Sequence, residues 1–369
     1  MFFITEKKSK FMIIESIELK NFRNYKSLSM EFDGKTNILY GDNAQGKTNI
    51  LEALYISATT KSHKGSKDRE IINFYADESH IKTIINKKDI PYRIDMHLKK
   101  NKPKGIAING IPIKKASELF GILNVVFFSP EDLNLIKNGP AERRRFLDLE
   151  LCQLDKIYVY NMVNYNKVLN QRNQLLKAAD FRFDLLDTLD VWDLQLVEYG
   201  KKIIEKRRKF IDSLNVIIRE IHNDLSGQRE ELKLVYIPDV PEDSFYDELV
   251  SHREKDRKLK STCIGPHRDD FAFCIGGRDV RKFGSQGQQR TAALSLKLSE
   301  IKLVSRVIND NPVLLLDDVL SELDANRQNH LLNSIGNIQT MITCTGLDDF
   351  IQNRFEINKL YHIENGNII

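Results

Sequence analysis

Cysteine is scarce and scattered in this chain. The four residues Cys152, Cys263, Cys274 and Cys344 form no C-x-x-C pair. That argues against a disulfide framework or a metal site and for reduced thiols in a cytosolic protein. Long apolar runs are missing as well, since none approaches the roughly 20 residues of a membrane helix. The first eleven residues, MFFITEKKSKF, contain no apolar stretch long enough for a signal peptide. Met12 opens a clean strand pattern, so residues 1–11 read as an upstream start or a tag remnant. Neither sign of charge dominates: 56 Lys and Arg face 52 Asp and Glu. This balance neither demands nor excludes nucleic acid and leaves the matter to local patches. No Ser/His/Asp set for nucleophilic catalysis is evident. A chain of 369 residues is long enough for about two domains and a sizeable core.

What the chain does have is Gly41-Asp42-Asn43-Ala44-Gln45-Gly46-Lys47-Thr48, which fits the phosphate-loop pattern G-x-x-x-x-G-K-[ST] at every fixed position. A triphosphate is cradled by successive backbone N–H groups, so the loop must bend tightly, and Gly41 and Gly46 permit that. Lys47 reaches the β- and γ-phosphates and carries a catalytic role there. The Thr48 hydroxyl suits Mg²⁺. Asn49 completes the set of candidate nucleotide-binding residues. Thr36–Tyr40 reads as a buried strand before the loop. Ile50, Leu51, Ala53, Leu54 and Ile56 start a helix after it, and the N-terminus of that helix favours an anion.

Around this loop the chain changes texture twice. Ile17 and Leu19, then Leu28, Met30 and Phe32, alternate with polar residues as half-exposed strands. Residues 81–86, 92–98 and 105–113 look like further strands, with a tight turn at Asn109-Gly110. Residues 122–128 form a continuous apolar run suited to a central strand. Ser129-Pro130-Glu131-Asp132 then marks a helix start. From 131 to 260 strand signals nearly vanish. Leu185, Leu189, Trp192, Leu196, Tyr199 and Ile203 recur at alternating steps of four and three, and Phe210, Leu214, Ile217 and Ile221 resume the pattern. This predicts one long helix with a narrow apolar seam. A helix over about 154–179 would pack antiparallel to it. One short strand, 232–237, precedes a charged segment at 244–260. Strand signals return at Phe271–Ile275 with a turn at Gly276-Gly277. The domain reading is therefore a head made of residues 12–130 plus 261–369, interrupted by a helical insertion at 131–260.

Val313–Asp318 is an apolar strand ending in two carboxylates. Asp317 is placed to hold Mg²⁺, directly or through water, and Asp318 to polarise an attacking water. In order, the phosphate loop, Ser285-Gln286-Gly287-Gln288-Gln289, Leu314-Leu315-Leu316-Asp317-Asp318 and Ser321-Glu322-Leu323-Asp324 resemble an ABC-type ATPase head. The expected fold is accordingly α/β, a P-loop NTPase head with a mixed sheet and helices and an inserted helical lobe II. The resemblance makes Ser285, Gln286 and Gly287 the signature segment, which caps the γ-phosphate held by the other subunit. It makes Ser321–Asp324 the loop that crosses the dimer interface. Lys47 and Ser285 lie 238 residues apart, which resembles the SMC-like branch, whose heads are interrupted by helical arms.

Finer matches resemble a bacterial recombination-mediator branch of that family. They are Leu19-Lys20-Asn21-Phe22-Arg23-Asn24-Tyr25, Phe128-Ser129-Pro130-Glu131-Asp132-Leu133, Arg143-Arg144-Arg145-Phe146-Leu147-Asp148 and Gly265-Pro266-His267-Arg268-Asp269-Asp270. The resemblance implies that Arg23 and Asn24 lie beside the nucleotide. It implies ATP and Mg²⁺, an ATP-dependent homodimer, and binding to single-stranded, gapped or junction DNA. It also implies the mediator partners RecR and RecO, support of recombinase loading, replication restart and SOS induction, and slow hydrolysis used as a switch in the cytoplasm and nucleoid. Two departures stand out. The usual Gln after the 122–128 strand is not evident, with Ser129 or Glu131 near its place. The switch His after the Met341 strand is not evident either, with Thr345 nearest.

Other features read two ways. Arg143-Arg144-Arg145 and the Lys201-Lys202, Lys206-Arg207-Arg208-Lys209 cluster either track DNA phosphates or only solvate helix faces. His267-Arg268-Asp269-Asp270 could be a metal cluster, but consecutive residues rarely converge on one ion, so a structural or nucleotide-side role is expected. Two rival functions are the energising subunit of an ABC transporter, which calls for a membrane partner and a short gap between motifs, and a purely structural SMC-like tether, which calls for arms of hundreds of residues.

Overall fold

The computed structural model describes residues 11–178, 188–346 and 357–369. Residues 1–10 of the expected extension and Leu185 of the expected seam lie outside the described residues. Contacts divide the chain into two compact units, Met1–Asp132 with Glu300–Ile369 and Leu133–Ser299. Residues 261–299 are expected in the head. The structure keeps 261–299 in the second unit, because the strand at Asp270–Ile275 pairs with Leu232–Ile237. Among the described residues no helix is long and apolar enough to cross a membrane.

The first unit opens with β1 (Ile13–Phe22), β2 (Tyr25–Glu31), β3 (Thr36–Tyr40), α1 (Lys47–Thr59), α2 (Asp68–Ile71), β4 (Glu78–Lys87), β5 (Ile90–Lys99), β6 (Lys102–Ile108), β7 (Ile111–Pro112) and β8 (Val125–Phe128). Five of these strands join β2 in an antiparallel sheet of order β2-β1-β4-β5-β6-β7. Alternation explains its faces: Ile17 and Leu19 are buried while Glu18 and Lys20 look outward. The β6–β7 turn falls at Asn109-Gly110, both with positive φ, as its sequence requires. The central strand expected at 122–128 shortens to β8.

The second unit carries α3 (Asn134–Lys137), α4 (Pro140–Leu154), α5 (Lys156–Ala178), α6 (Leu189–Leu225), β9 (Leu232–Ile237), α7 (Phe245–Ser251), α8 (Arg253–Leu259), β10 (Asp270–Ile275), β11 (Arg278–Asp279), α9 (Val280–Phe283) and the start of α10 (Gln286–Ile308). After α10 the first unit is completed by β12 (Val313–Asp317), α11 (Ala325–Ile335), β13 (Thr340–Cys344), β14 (Lys359–Glu364) and β15 (Asn367–Ile368). These strands take β3 and β8 into a second sheet of order β15-β14-β3-β13-β12-β8, parallel except for β15. Every residue of β8, β12 and β13 is buried, as expected of parallel strands covered on both faces. Helix α1 contacts β4 of one sheet and β8, β12 and β13 of the other. All its residues from Ile50 to Thr59 are buried, so it is covered on every side rather than amphipathic.

In the second unit α5 and α6 pack together, and three contacts fix their direction. Tyr158 Oη meets Arg207 Nε at 3.1 Å, a Cβ added to Gly200 would stand 3.2 Å from the Tyr165 ring, and Arg172 Nε donates to Asp193 Oδ1 at 2.6 Å. Positions rise by seven on α5 and fall by seven on α6, so the helices are antiparallel in heptad phase. The seam differs from the sequence expectation. Leu189, Leu196, Ile203, Phe210, Leu214, Ile217 and Ile221 are buried as read, but Asp193, Gly200 and Arg207 are buried where Trp192 and Tyr199 were expected. The periodicity missed them because two are charged, and each is buried against an opposite charge.

The Arg172 side chain and its partners Asp193 and Asp256 are all fully buried. A buried ion pair adds little over an apolar substitute, but breaking one strands the remaining charges. Arg172→Met is expected to destabilise the fold by about 3–5 kcal/mol, read as a lower urea midpoint.

Candidate nucleotide-binding site

Backbone geometry sets the loop between β3 and α1. Gly41 has φ 145° and Gly46 φ 116°. A Cβ at Gly41 would lie 2.3 Å from the Ile363 carbonyl oxygen, and one at Gly46 would lie 2.6 Å from both Asn24 Nδ2 and Tyr25 Oη. Both positions therefore need glycine for space as well as for φ. Ala44 adopts a left-handed φ of 64° without that freedom, and Asp42, Asn43 and Ala44 form the exposed crown of the loop. The N–H groups that open α1 follow Gly46 directly, which is where a helix end attracts an anion.

Neighbouring segments brace the loop. Asn24 Nδ2 donates to the Gln45 carbonyl at 3.1 Å, and Asn49 Nδ2 donates to Asn24 Oδ1 at 2.8 Å. On the other side the β14–β15 turn contributes two N–H groups. Asn365 N donates to Gln45 Oε1 at 2.6 Å and Gly366 N to the Gln45 carbonyl at 3.2 Å. This contact joins positions 320 residues apart, so no local pattern in the sequence signals it.

The cation and the acids meet at the end of the loop. Lys47 is buried, and its Nζ donates to the Gly41 and Asp42 carbonyls at 2.6 and 2.8 Å. Thr48 Oγ1 donates to Asp317 Oδ1 at 2.7 Å, so the two predicted metal ligands converge. Thr343 Oγ1 donates to the same oxygen at 2.8 Å and accepts the Asp318 backbone N–H at 3.0 Å. Thr343 was missed from sequence. The parallel register sets it beside Asp317, and a hydroxyl inside an apolar strand was the available signal. Asp318 sits at a left-handed φ of 51°. Burial and the neighbouring Asp317 carboxylate raise its pKa above the usual carboxylate value, with Lys47 pulling the other way. The donor set of Thr48 and Asp317 is all oxygen, which fits a hard cation such as Mg²⁺.

Arg23 is committed elsewhere. Its guanidinium donates to both Glu52 oxygens at 2.8 and 2.7 Å, to the Glu70 carbonyl at 2.8 Å and to Ser66 Oγ at 2.8 Å. Glu52 is fully buried. Burial pushes its carboxyl up, but hydrogen bonds from Arg23 and Ser62 and the nearby positive charge more than offset this and hold it below the usual value. Arg23 thus fixes the β1–β2 turn and also borders a groove of about 710 Å³ that Asn24, Asn49, Arg69, Phe74 and Lys100 line.

Ser285, Gln286 and Gly287 belong to the second unit and are exposed at the start of α10. Ser285 caps that helix reciprocally. Ser285 N donates to Gln288 Oε1 at 2.8 Å, and Gln288 N donates to Ser285 Oγ at 3.2 Å. Ser129 and Glu131 fall at the turn after β8, and Thr345 is exposed just beyond β13.

The ambiguous charge clusters resolve in part. Arg143 is buried, bidentate to Asp270 at 2.6 and 2.9 Å, and donates to the Leu135 and Asn138 carbonyls. Arg207 is buried against Asp148, Asp269, Tyr158 and the Pro266 carbonyl. Lys202, Lys206, Arg208 and Lys209 each pair with an acid. His267 meets Tyr165 Oη, and Asp269 takes Arg207, Tyr236 and the Asp239 N–H, so that run is a structural knot and no metal cluster. Among the described residues one group, Glu78, His80 and His97, has metal-ligand spacing. Hydrogen bonds from His97 and Lys99 bring Glu78 down to about 2, and the Lys99 ammonium 3.2 Å away closes the carboxylate to a cation.

Fold and site together define an ABC-type ATPase head with a phosphate loop. Residues 13–368 match the family model described as RecF/RecN/SMC N terminal domain. The chain is 66% identical over 357 residues to the DNA replication and repair protein RecF of Agathobacter rectalis, spanning 97% of this chain and 99% of that protein. It is 64% identical over 360 residues to the RecF of Lachnospira eligens, with the same coverage. A solved structure described as the recombination mediator protein RecF-ATP in the RecFOR pathway superposes with a TM-score of 0.92 at 35% identity, covering 99% of each chain. An Smc head domain from Pyrococcus furiosus, at 17% identity and TM-score 0.56, shares the fold alone. The chain belongs to the RecF family of SMC-like proteins. That membership sets aside the transporter rival.

Thr343 is buried and serves both acids. Thr343→Val leaves the Asp318 N–H unpaired and is expected to lose about 1–3 kcal/mol by guanidinium denaturation, while Thr343→Ser keeps most of it.

Proposed function

We propose that this chain is an ATP-dependent DNA-binding switch of recombination and repair. The observation that carries the reading is the convergence of Lys47, Thr48, Asp317 and Asp318 where α1 begins. The 35% identity to a protein described as RecF-ATP supports it. ATP would lie with its phosphates against the N–H groups from Gly41 to Asn49, and Lys47 would turn from its own loop carbonyls to the β/γ-oxygens. The groove bordered by Arg23, Asn24 and Asn49 would take the nucleoside. Thr48 and Asp317 would hold Mg²⁺, which supplies charge neutralisation on the phosphates. Asp318, with its raised pKa, is suited to accept a proton from water.

The second half of the site would come from another copy. Ser285, Gln286 and Gly287 offer the N-terminus of α10 to an anion, and their exposure suits a γ-phosphate held by the partner. ATP would then close a homodimer that grips single-stranded, gapped or junction DNA, and hydrolysis would release it. In this reading the protein works with RecO and RecR to load the recombinase at gaps, supporting replication restart and the SOS response in the cytoplasm and nucleoid. Since Arg143 and Arg207 are internal, they contribute to DNA binding only by holding the second unit together.

Two variants test the mechanism. Asp318→Asn is expected to keep ATP binding, lose nearly all hydrolysis and accumulate as an ATP-bound dimer by light scattering; hydrolysis at the wild-type rate removes Asp318 from the role. Ser285→Arg is expected to bind a fluorescent ATP analogue normally yet remain monomeric with ATP and Mg²⁺. If the residue only caps α10, its loss costs about 1 kcal/mol and leaves dimerisation largely intact. A dimer as tight as wild type refutes the shared site.

A further inference from the structure

Gln288 does two things at once. Its Oε1 accepts the Ser285 N–H at 2.8 Å, and its Nε2 donates to Glu230 Oε1 at 2.8 Å. An unanchored glutamine amide turns freely about its last torsions, which are broad. Here the carboxylate holds the NH₂ end and thereby aims the carbonyl end at Ser285. A hydrogen bond to a charged acceptor is stronger than one between neutral groups.

Glu230 is itself delivered by a tight structure. Helix α6 ends at Leu225, and the next residues turn with positive φ at Gly227 (65°) and Gln228 (59°). Ser226 N donates to the His222 carbonyl at 2.9 Å, Gln228 N to the Asn223 carbonyl at 2.7 Å and Arg229 Nε to the Ser226 carbonyl at 2.9 Å. The turn thus fixes Glu230 relative to the end of the long helix. A second bridge runs beside it: His222 Nδ1 lies 2.9 Å from Ser295 Oγ, on the buried side of α10. Ser295 Oγ donates to the Thr291 carbonyl at 2.7 Å, so it accepts from His222 and the proton sits on Nδ1. His222 Nε2 then has no hydrogen-bond partner, 3.6 Å from Glu230 Oε2. Burial lowers the His222 pKa, with Glu230 pulling the other way, and the other carboxylate oxygen of Glu230, Oε1, takes Gln288.

We propose that Glu230 is a positioning residue for the Ser285 segment, locking the capping glutamine Gln288 and so fixing the exposed N-terminus of α10 to the end of α6. Its role in assembly rests on the shared-site reading above. The locking itself does not.

The test therefore has two arms on the full chain. Hydrogen exchange across residues 284–290, without nucleotide, reads the locking. Glu230→Ala is expected to speed exchange of the capped amides about tenfold, and Glu230→Gln, which keeps an acceptor for Gln288 Nε2, to stay within about twofold of wild type. Gln288→Ala is expected to match Glu230→Ala, and the double variant to be no worse than either single one, because both remove the same interaction. Unchanged exchange in Glu230→Ala, or effects that add in the double variant, overturns the proposal. Light scattering with ATP and Mg²⁺ reads assembly. Glu230→Ala is expected to bind the ATP analogue normally but dimerise about tenfold more weakly, with Glu230→Gln rescuing it. Wild-type dimerisation by Glu230→Ala despite faster exchange overturns its part in assembly. A wild-type chain that fails to dimerise with ATP defeats the shared-site reading, and the exchange arm alone then decides the locking.

Discussion

One carboxylate oxygen holds the two ends of the first unit together. Asp317 Oδ1 accepts from Thr48, just past the phosphate loop, and from Thr343 on the adjacent strand. For these hydroxyls to meet it, β3 and β12 must flank β13 in one parallel sheet. The same sheet sets the Ile363 carbonyl against Gly41 and brings the β14–β15 turn to Gln45. The loop's glycines are therefore constrained from outside as much as by the loop's own bend. A phosphate-binding motif is local in sequence, but the surface that holds its shape comes from the far end of the chain.

The second unit is organised by buried charge. Arg172 and Arg207 sit in the α5–α6 seam with their carboxylate partners on several elements. Such pairs contribute little net stability compared with apolar packing, but they penalise misregistry heavily. Sliding α5 by one heptad would set Arg172 against Gly200 and strand Asp193. Leucines alone would tolerate that shift far better. The hairpin is thus keyed, and α6 meets the turn that carries Glu230 in one register.

Much of this was legible from the residues. The phosphate loop, the paired acids, the signature segment and the hairpin turns at Asn109-Gly110 and Gly276-Gly277 each follow from local chemistry, and the structure places them on the elements expected. The apolar positions of α6 after Ile203 follow from periodicity alone. What was not legible depends on burial of polar groups. Asp193 and Arg207 break the apolar rhythm because their partners supply what water would have, and Arg143 and Arg207 sit inside runs of cations that read as surface. Glu52 is invisible as a core residue without knowing that Arg23 reaches it. The end of the inserted unit was missed because the pairing of β10 with β9 outweighs the return of strand signals at 271.

The neighbours of β3 in the sheet are β13 and β14. Both are translated after the whole of the second unit. During synthesis, then, the phosphate loop emerges long before β13 and β14, the strands that flank β3 in its sheet. Contacts of such sequence separation carry a large entropy of closure and form late. The helical unit can fold while the head is still half made. A chain lacking β13 and β14 would hold the complete motif without the strands and the turn that brace it.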